Sequence, residues 1–171
     1  MPVASVPRIE PLGKHHDRVA FDCGIDVLNR YIREQAGQDS TKKIAATFVL
    51  IGDAPATIAG YYSLSSTSIN VGELPEAVAK KLPRYPLMPA TLIGRLAVDW
   101  RYQGKGCGEL LLVDALKRSL ISTKQIGSVP VVVDAMDDRA KAFYAHFLFI
   151  LLEGFSHRLF LPMKAIENLF R

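Results

Sequence analysis

Three glycines within five residues, Gly104, Gly106 and Gly108, stand between an apolar run and an amphipathic stretch, and no other feature restricts the fold as strongly. Upstream, Leu92, Ile93, Leu96, Ala97 and Val98 have the character of a buried strand. Downstream from Glu109, Leu111, Leu112, Ala115, Leu116 and Leu120 share one side of a helix, with Asp114, Lys117 and Arg118 on the other. The order is strand, glycine turn, helix start. Amides freed at such a start lie at the positive end of the helix dipole, so phosphate is the ligand they suit best.

Spacing separates the glycine motifs that could explain the turn. Lys105 is followed by Gly106 where a P-loop needs Ser or Thr, so that motif is excluded. A dinucleotide fold needs Gly-x-Gly-x-x-Gly early in a βαβ unit, but here the pattern is Gly-x-Gly-x-Gly in the second half of the chain. The remaining pattern, Arg101-x-x-Gly104-x-Gly106, resembles the signature of the GNAT acetyltransferases, in which the turn holds the pyrophosphate of acetyl-CoA. The surrounding order agrees: a strand at Val131 to Asp134 follows the helix, and a second helix, Asp137 to Phe147, carries the Phe143-Tyr144 pair.

The resemblance narrows with Phe21-Asp22-Cys23-Gly24, Leu28-Asn29-Arg30-Tyr31, Arg84-Tyr85-Pro86, Ile93 to Asp99, Gln103 to Gly108 and Ala142-Phe143-Tyr144. Together these stretches are similar to the GNAT-type toxins of toxin–antitoxin systems. The resemblance implies acetyl transfer from acetyl-CoA to the α-amine of aminoacyl-tRNA, a block of translation, a homodimer, and silencing by a ribbon-helix-helix antitoxin. It further implies that Leu96, Ala97, Val98, Arg101, Gln103, Gly104, Lys105, Gly106, Cys107 and Gly108 hold acetyl-CoA, with a backbone N–H near Val98 receiving the oxyanion and Tyr144 as the catalytic proton donor. One departure stands out: the family's Phe-Gly-Phe after the tyrosine is Phe147-Leu148-Phe149 here, which puts the exit of that helix in question.

Length and charge bound the rest. At 171 residues and 49% hydrophobic, the chain reads as one α/β domain with a mixed sheet flanked by helices. No apolar run approaches the ~20 residues that cross a bilayer, and Met1 to Arg8 lacks the apolar centre of a signal peptide, so a cytoplasmic protein with no membrane partner is expected. Cys23 and Cys107 have no metal-site spacing and read as reduced thiols; no metal is expected. Cys107 reads as a small filler beside glycine, although a helix start can activate a thiol.

The net charge is +4, and Lys80, Lys81, Arg84, Arg95, Arg101 and Lys105 face one acid, Asp99, over residues 80–105. Such a set suits a polyanion. Arg30, Arg33, Lys42 and Lys43 add a second cluster, and Lys80, Lys81, Arg84, Arg95 and Arg33 are the expected tRNA contacts.

Along the chain the expected elements are a strand at Arg8 to Leu12, a helix from Ile25 to about Ala36 with Asp26 as its cap, and a loop at Gly37 to Lys43. A hairpin of Ala45 to Ile51 and Ile58 to Ser68 follows, its second strand, with Tyr61, Tyr62 and a ladder of Ser and Thr, partly exposed. Glu73 to Leu82 suggests a short helix, Pro83 to Pro89 an extended connection, Phe149 to Glu153 and Arg158 to Leu161 a closing strand pair, and Lys164 to Phe170 a last helical turn.

Acyl transfer to an amine needs a free lone pair, an oxyanion donor and a proton for the leaving thiolate. The phenol of Tyr144 is protonated at neutral pH and suits the third task. His15, His16, His146 and His157 are scattered, and no general base emerges, but an α-amine of pKa ~7.7–8.0 needs little help. Two other functions remain open at this stage. They are a GNAT enzyme for a small or protein amine, and a binding module for acetyl-CoA or nucleic acid without catalysis.

Overall fold

The computed structural model describes residues 6–171; residues 1–5, part of the Met1 to Arg8 stretch, lie outside it. Seven strands form one mixed sheet in the order β1-β2-β3-β4-β5-β7-β6: β1 (Ile9–Pro11), β2 (Ala46–Ile51), β3 (Ile58–Asn70), β4 (Leu87–Val98), β5 (Pro130–Asp134), β6 (Ile150–Leu151) and β7 (Arg158–Pro162). The helices are α1 (Asp26–Arg30), α2 (Ala36–Thr41), α3 (Glu76–Ala79), α4 (Cys107–Ser122), α5 (Asp138–His146) and α6 (Met163–Leu169). The described residues form two compact units, 6–64 with 95–115 and 65–94 with 116–171, and β3 and β4 each supply residues to both.

In the first unit, β1, β2 and β3 pair antiparallel, with Pro11 opposite Phe48 and Phe48 opposite Tyr62. The hairpin turn closes through Gly52 N–H donating to Thr57 O at 2.8 Å. β3 is partly exposed, as expected, along Leu64 to Ser68, while Tyr61 and Tyr62 are fully buried. The Tyr61 ring packs edge-on against Phe21 and its hydroxyl donates to Leu28 O at 2.7 Å, so its polar tip is satisfied inside.

The expected loop at Gly37 to Lys43 is instead helix through Thr41. Between α1 and α2 the backbone widens into a π-helical turn, Tyr31–Gln35, which shifts the register and hides the continuation from a 3.6-residue pattern. Nor does Asp26 cap α1. Ile25 holds the cap position, and Asp26 lies in the first turn, paired with Arg30 at 2.8 Å.

In the second unit β4 pairs parallel with β5, Thr91 opposite Val131 and Ile93 opposite Val133, and β5 pairs antiparallel with β7. β4 begins at Leu87, earlier than expected. Leu87 and Pro89 are exposed while Met88 and Ala90 are buried, the period of a strand, and the Pro89 carbonyl accepts from Val129 N–H at 2.8 Å. The helix expected over Glu73 to Leu82 is shorter, a 3-10 turn at Val71–Glu73 and then α3. Ile69, Met88, Val132, Leu152 and Phe160 form this unit's core.

α5 is capped at its start by Asp137, whose carboxylate accepts from Ala140 N–H at 2.8 Å. Its end answers the question raised by Phe147-Leu148-Phe149. Leu148 N–H donates to Ala145 O at 3.0 Å and Phe149 N–H to Tyr144 O at 3.2 Å, the Schellman pattern, with the Phe149 ring packed on Tyr144. Leu148 takes the left-handed position at φ 72°. The glycine exit is kept without the glycine.

Because Leu148 is 65% exposed, replacing it by glycine removes backbone strain and little packing. The strain is worth about 1–2 kcal/mol, partly offset by the freer unfolded chain, so Leu148→Gly is expected to stabilise by about 0.5–1 kcal/mol. A calorimetric melt should show Tm rising by roughly 2 °C; a fall would contradict the strain argument.

Candidate active site

The glycine turn lies where the first unit's β4 residues hand over to α4. Gly104 (φ 76°) and Gly106 (φ 81°) both adopt the left-handed conformation, which brings Cys107 in as the first helical residue. A Cβ built on either glycine would meet nothing within 4 Å. The turn therefore needs glycine for its backbone and keeps open space before it. The amides of Cys107, Gly108 and Glu109 are the helix-start donors without an intrahelical acceptor, and the first satisfied one is Leu110 N–H, donating to Gly106 O at 3.1 Å. This is a cradle of the kind that a diphosphate would fill.

A buried acid fixes the approach to that cradle. Asp99, with no exposed surface, accepts from Arg101 N–H and Nε at 2.9 Å each, from Arg101 Nη2 at 3.2 Å and from Asp22 N–H at 3.0 Å. Burial pushes its carboxyl up, but these donors outweigh it and hold the group below its ordinary value. Arg101 is thus committed to Asp99, and its signature position serves the turn from within rather than by reaching for an anion. Gln103 likewise turns inward, its Nε2 donating to Val98 O at 2.9 Å and Cys23 O at 3.2 Å.

Lys105 is exposed, its Nζ 5.7 Å from the Tyr102 ring centroid. Leu96 and Val98 are half-buried and Ala97 is buried, as adjoining residues of β4. Desolvation raises the Cys107 thiol above its ordinary pKa, against any nucleophilic role and in line with the filler reading. Burial does the same to Cys23.

Tyr144 belongs to the second unit. It is buried on α5, its ring edge-on to Phe143 and tilted against Phe149 at 5.5 Å. Burial raises its pKa further, so the hydroxyl remains a donor throughout the neutral range. His146, two residues on, is exposed and packs against Phe147, consistent with a surface role.

The basic residues fall into two kinds. Lys80, Lys81 and Arg84, in the second unit, are exposed and none forms an ion pair among the described residues. Arg33 and Arg95, in the first, are held. Arg33 Nη2 donates to Phe21 O at 2.5 Å. The Arg95 guanidinium lies 3.6 Å from the centre of the Tyr31 ring, whose hydroxyl donates to the buried Asp39 at 2.9 Å. Sequence reasoning missed Asp39, in a stretch read as loop, though its spacing of eight residues from Tyr31 was visible.

His15 and His16, read as scattered, converge on Glu10, all three ligand atoms lying within 4.8 Å. Gly13 N–H donates to His16 Nδ1 at 2.9 Å, which leaves the imidazole proton on Nε2, aimed at Glu10 at 2.7 Å. A metal on Nε2 would have to displace that proton and break the Gly13 bond. The cluster is a hydrogen-bonded one.

No family model matches the chain. It is 33% identical over 169 residues to the probable toxin TacT of Sinorhizobium fredii, covering 94% of this chain and 93% of that protein. The chain belongs to the GNAT-type toxins. It is also 34% identical to a tRNA-acetylating toxin of Mycobacterium tuberculosis, over 86% of this chain and 87% of that one. Among solved structures, a tyrosine-to-phenylalanine mutant of KacT superposes with a TM-score of 0.91 at 33% identity, covering 96% of this chain and 99% of its own. AtaT complexed with acetyl-methionyl-tRNAfMet gives a TM-score of 0.90 at 30% identity, over 97% of this chain and 100% of its own. AtaTR bound with AcCoA gives 0.84 at 30% identity, over 96% and 98%. The fold expected from the glycine turn, a GNAT mixed sheet flanked by helices, is the fold of this toxin.

Proposed function

We propose that this toxin is an acetyl-CoA-dependent N-acetyltransferase that acetylates the α-amine of aminoacyl-tRNA and so blocks translation. The observation that carries the reading is the cradle at the start of α4: left-handed glycines, open space before them, and helix-start amides. Acetyl-CoA supplies the activated acetyl group and its pyrophosphate answers those amides. In this reading the turn Arg101 to Gly108 binds the coenzyme, a β4 amide near Val98 receives the oxyanion, and Tyr144 Oη gives its proton to the departing thiolate. A buried phenol is a weaker acid than a thiol, so the proton moves as the C–S bond breaks and not before.

Lys80, Lys81 and Arg84 are the exposed contacts to tRNA phosphate, and Arg95 and Arg33 the held ones. A ribbon-helix-helix antitoxin and a second copy of the chain are the proposed protein partners, and the cytoplasm is the proposed compartment. Among the described residues no helix is long and apolar enough to cross a membrane.

The deciding experiment gives the protein labelled acetyl-CoA and total charged tRNA. Label on the aminoacyl group, and none on uncharged tRNA, is the expected result; label on protein or polyamine would move the substrate class, and none anywhere would leave a binding module. Arg84→Glu is expected to raise the KM for charged tRNA and lower the salt slope of binding by about 1, with acetyl-CoA affinity unchanged. Arg95→Glu should do the same while also lowering Tm, because the Tyr31 stacking is lost with the charge. An unaltered slope for Arg84→Glu would remove it from the tRNA surface.

A further inference from the structure

The segment Phe21 to Gly24 with Asn29 lies outside the signature turn, yet it is hydrogen-bonded to the residues that lead into that turn. Asn29 is buried and bridges: its Oδ1 accepts from Cys23 N–H and its Nδ2 donates to Asp22 Oδ1, both at 2.9 Å. The same Asp22 oxygen accepts from Gly24 N–H at 2.9 Å, closing a tight turn around the left-handed Gly24. The donors hold the Asp22 carboxyl below its ordinary value, the Gly24 amide and the Asn29 amide foremost.

The turn so shaped presents three backbone groups to residues 98–103. Asp22 N–H donates to Asp99 Oδ2 at 3.0 Å, Asp22 O accepts from Trp100 N–H at 2.8 Å, and Cys23 O accepts from Gln103 Nε2 at 3.2 Å. Gln103 immediately precedes Gly104. We infer that Asp22 and Asn29 are positioning residues for the coenzyme: they fix the 21–24 turn, which through Asp99, Trp100 and Gln103 sets where the Gly104–Gly106 amides sit. The inference rests on the reading of that turn as the pyrophosphate cradle. Both side chains bond within residues 22–29. Their effect on affinity comes through backbone placement, to which a set of converging amides is sensitive.

The geometry distinguishes two substitutions at one exposed position. Asp22→Asn keeps an oxygen for both the Gly24 and Asn29 donors, whereas Asp22→Ala removes it. Titration with acetyl-CoA should give a Kd raised about tenfold for Asp22→Ala and Asn29→Ala and close to wild type for Asp22→Asn, with the KM for charged tRNA unchanged in all three. A lowered Tm with an unaltered acetyl-CoA Kd would mean that the network is only structural and would overturn the inference. Should Asn29→Ala fail to fold, the Asp22 pair alone decides. Gly106→Val serves as the control: if it leaves the Kd intact, the cradle reading itself has failed, and if it abolishes binding while Asp22→Ala has no effect, only the positioning role has.

Discussion

Gly106→Val is expected to abolish acetyl-CoA binding, with Kd raised at least a hundredfold in a titration. Two effects add. Valine at φ 81° carries strain on the order of 1–3 kcal/mol, which the turn relieves by leaving the left-handed conformation and turning its amides away. If it stays, its side chain occupies the open space before the turn, since nothing of the protein lies within 4 Å of that Cβ. Gly104→Val meets the same pair of obstacles at φ 76°. Because the Cβ position is open, the folded core is untouched, and circular dichroism should report an intact protein. Near-native affinity in either variant would remove the glycine turn from the site.

Removing one oxygen atom should be as damaging to turnover. Tyr144→Phe keeps the ring against Phe143 and Phe149 and is expected to lower kcat by about 10²–10⁴-fold, with acetyl-CoA Kd and Tm close to wild type. The hydroxyl has no hydrogen-bond partner among the described residues, so its loss leaves no buried group stranded. Tyr144→Ala would confuse the test, because opening a cavity in a packed aromatic site costs about 3–5 kcal/mol. A kcat within threefold of wild type for Tyr144→Phe would make the tyrosine a packing residue.

The parts of this chain that could be read from its residues are those where local pattern and tertiary environment agree. The β4–turn–α4 unit is one: an apolar run, then glycines, then helical spacing, each with one meaning. The hairpin β2–β3 and the closing strands are others. Tyr144 was legible through its neighbour and its place after β5, yet its burial was not.

Where the reading failed, side-chain hydrogen bonds had overruled composition. Gly37 to Thr41 looks like loop, but Asp39 is drawn in by Tyr31 and Gln35, and Thr41 donates to Gly37 O at 3.0 Å. Arg101 and Arg33 read as free cations because a sequence does not reveal that Asp99 and the Phe21 carbonyl wait for them. Basic residues are therefore poor witnesses to a polyanion until their partners are known. Here the exposed trio, Lys80, Lys81 and Arg84, bears most of that argument.

The coenzyme grip proposed at α4 is built from main-chain groups, and this has a consequence for how the enzyme meets acid and base. A peptide N–H neither gains nor loses a proton in water near neutrality, and the helix start it belongs to keeps its polarity at any ionisation state of the surrounding side chains. Near neutrality, where Asp22 and Asp99 stay ionised, hold on the coenzyme is thus uncoupled from acidity. Tyr144 keeps its proton through the neutral range, so what remains for pH to govern there is the incoming nucleophile, and a rate profile of this toxin reports on its substrate's amine more directly than on the protein.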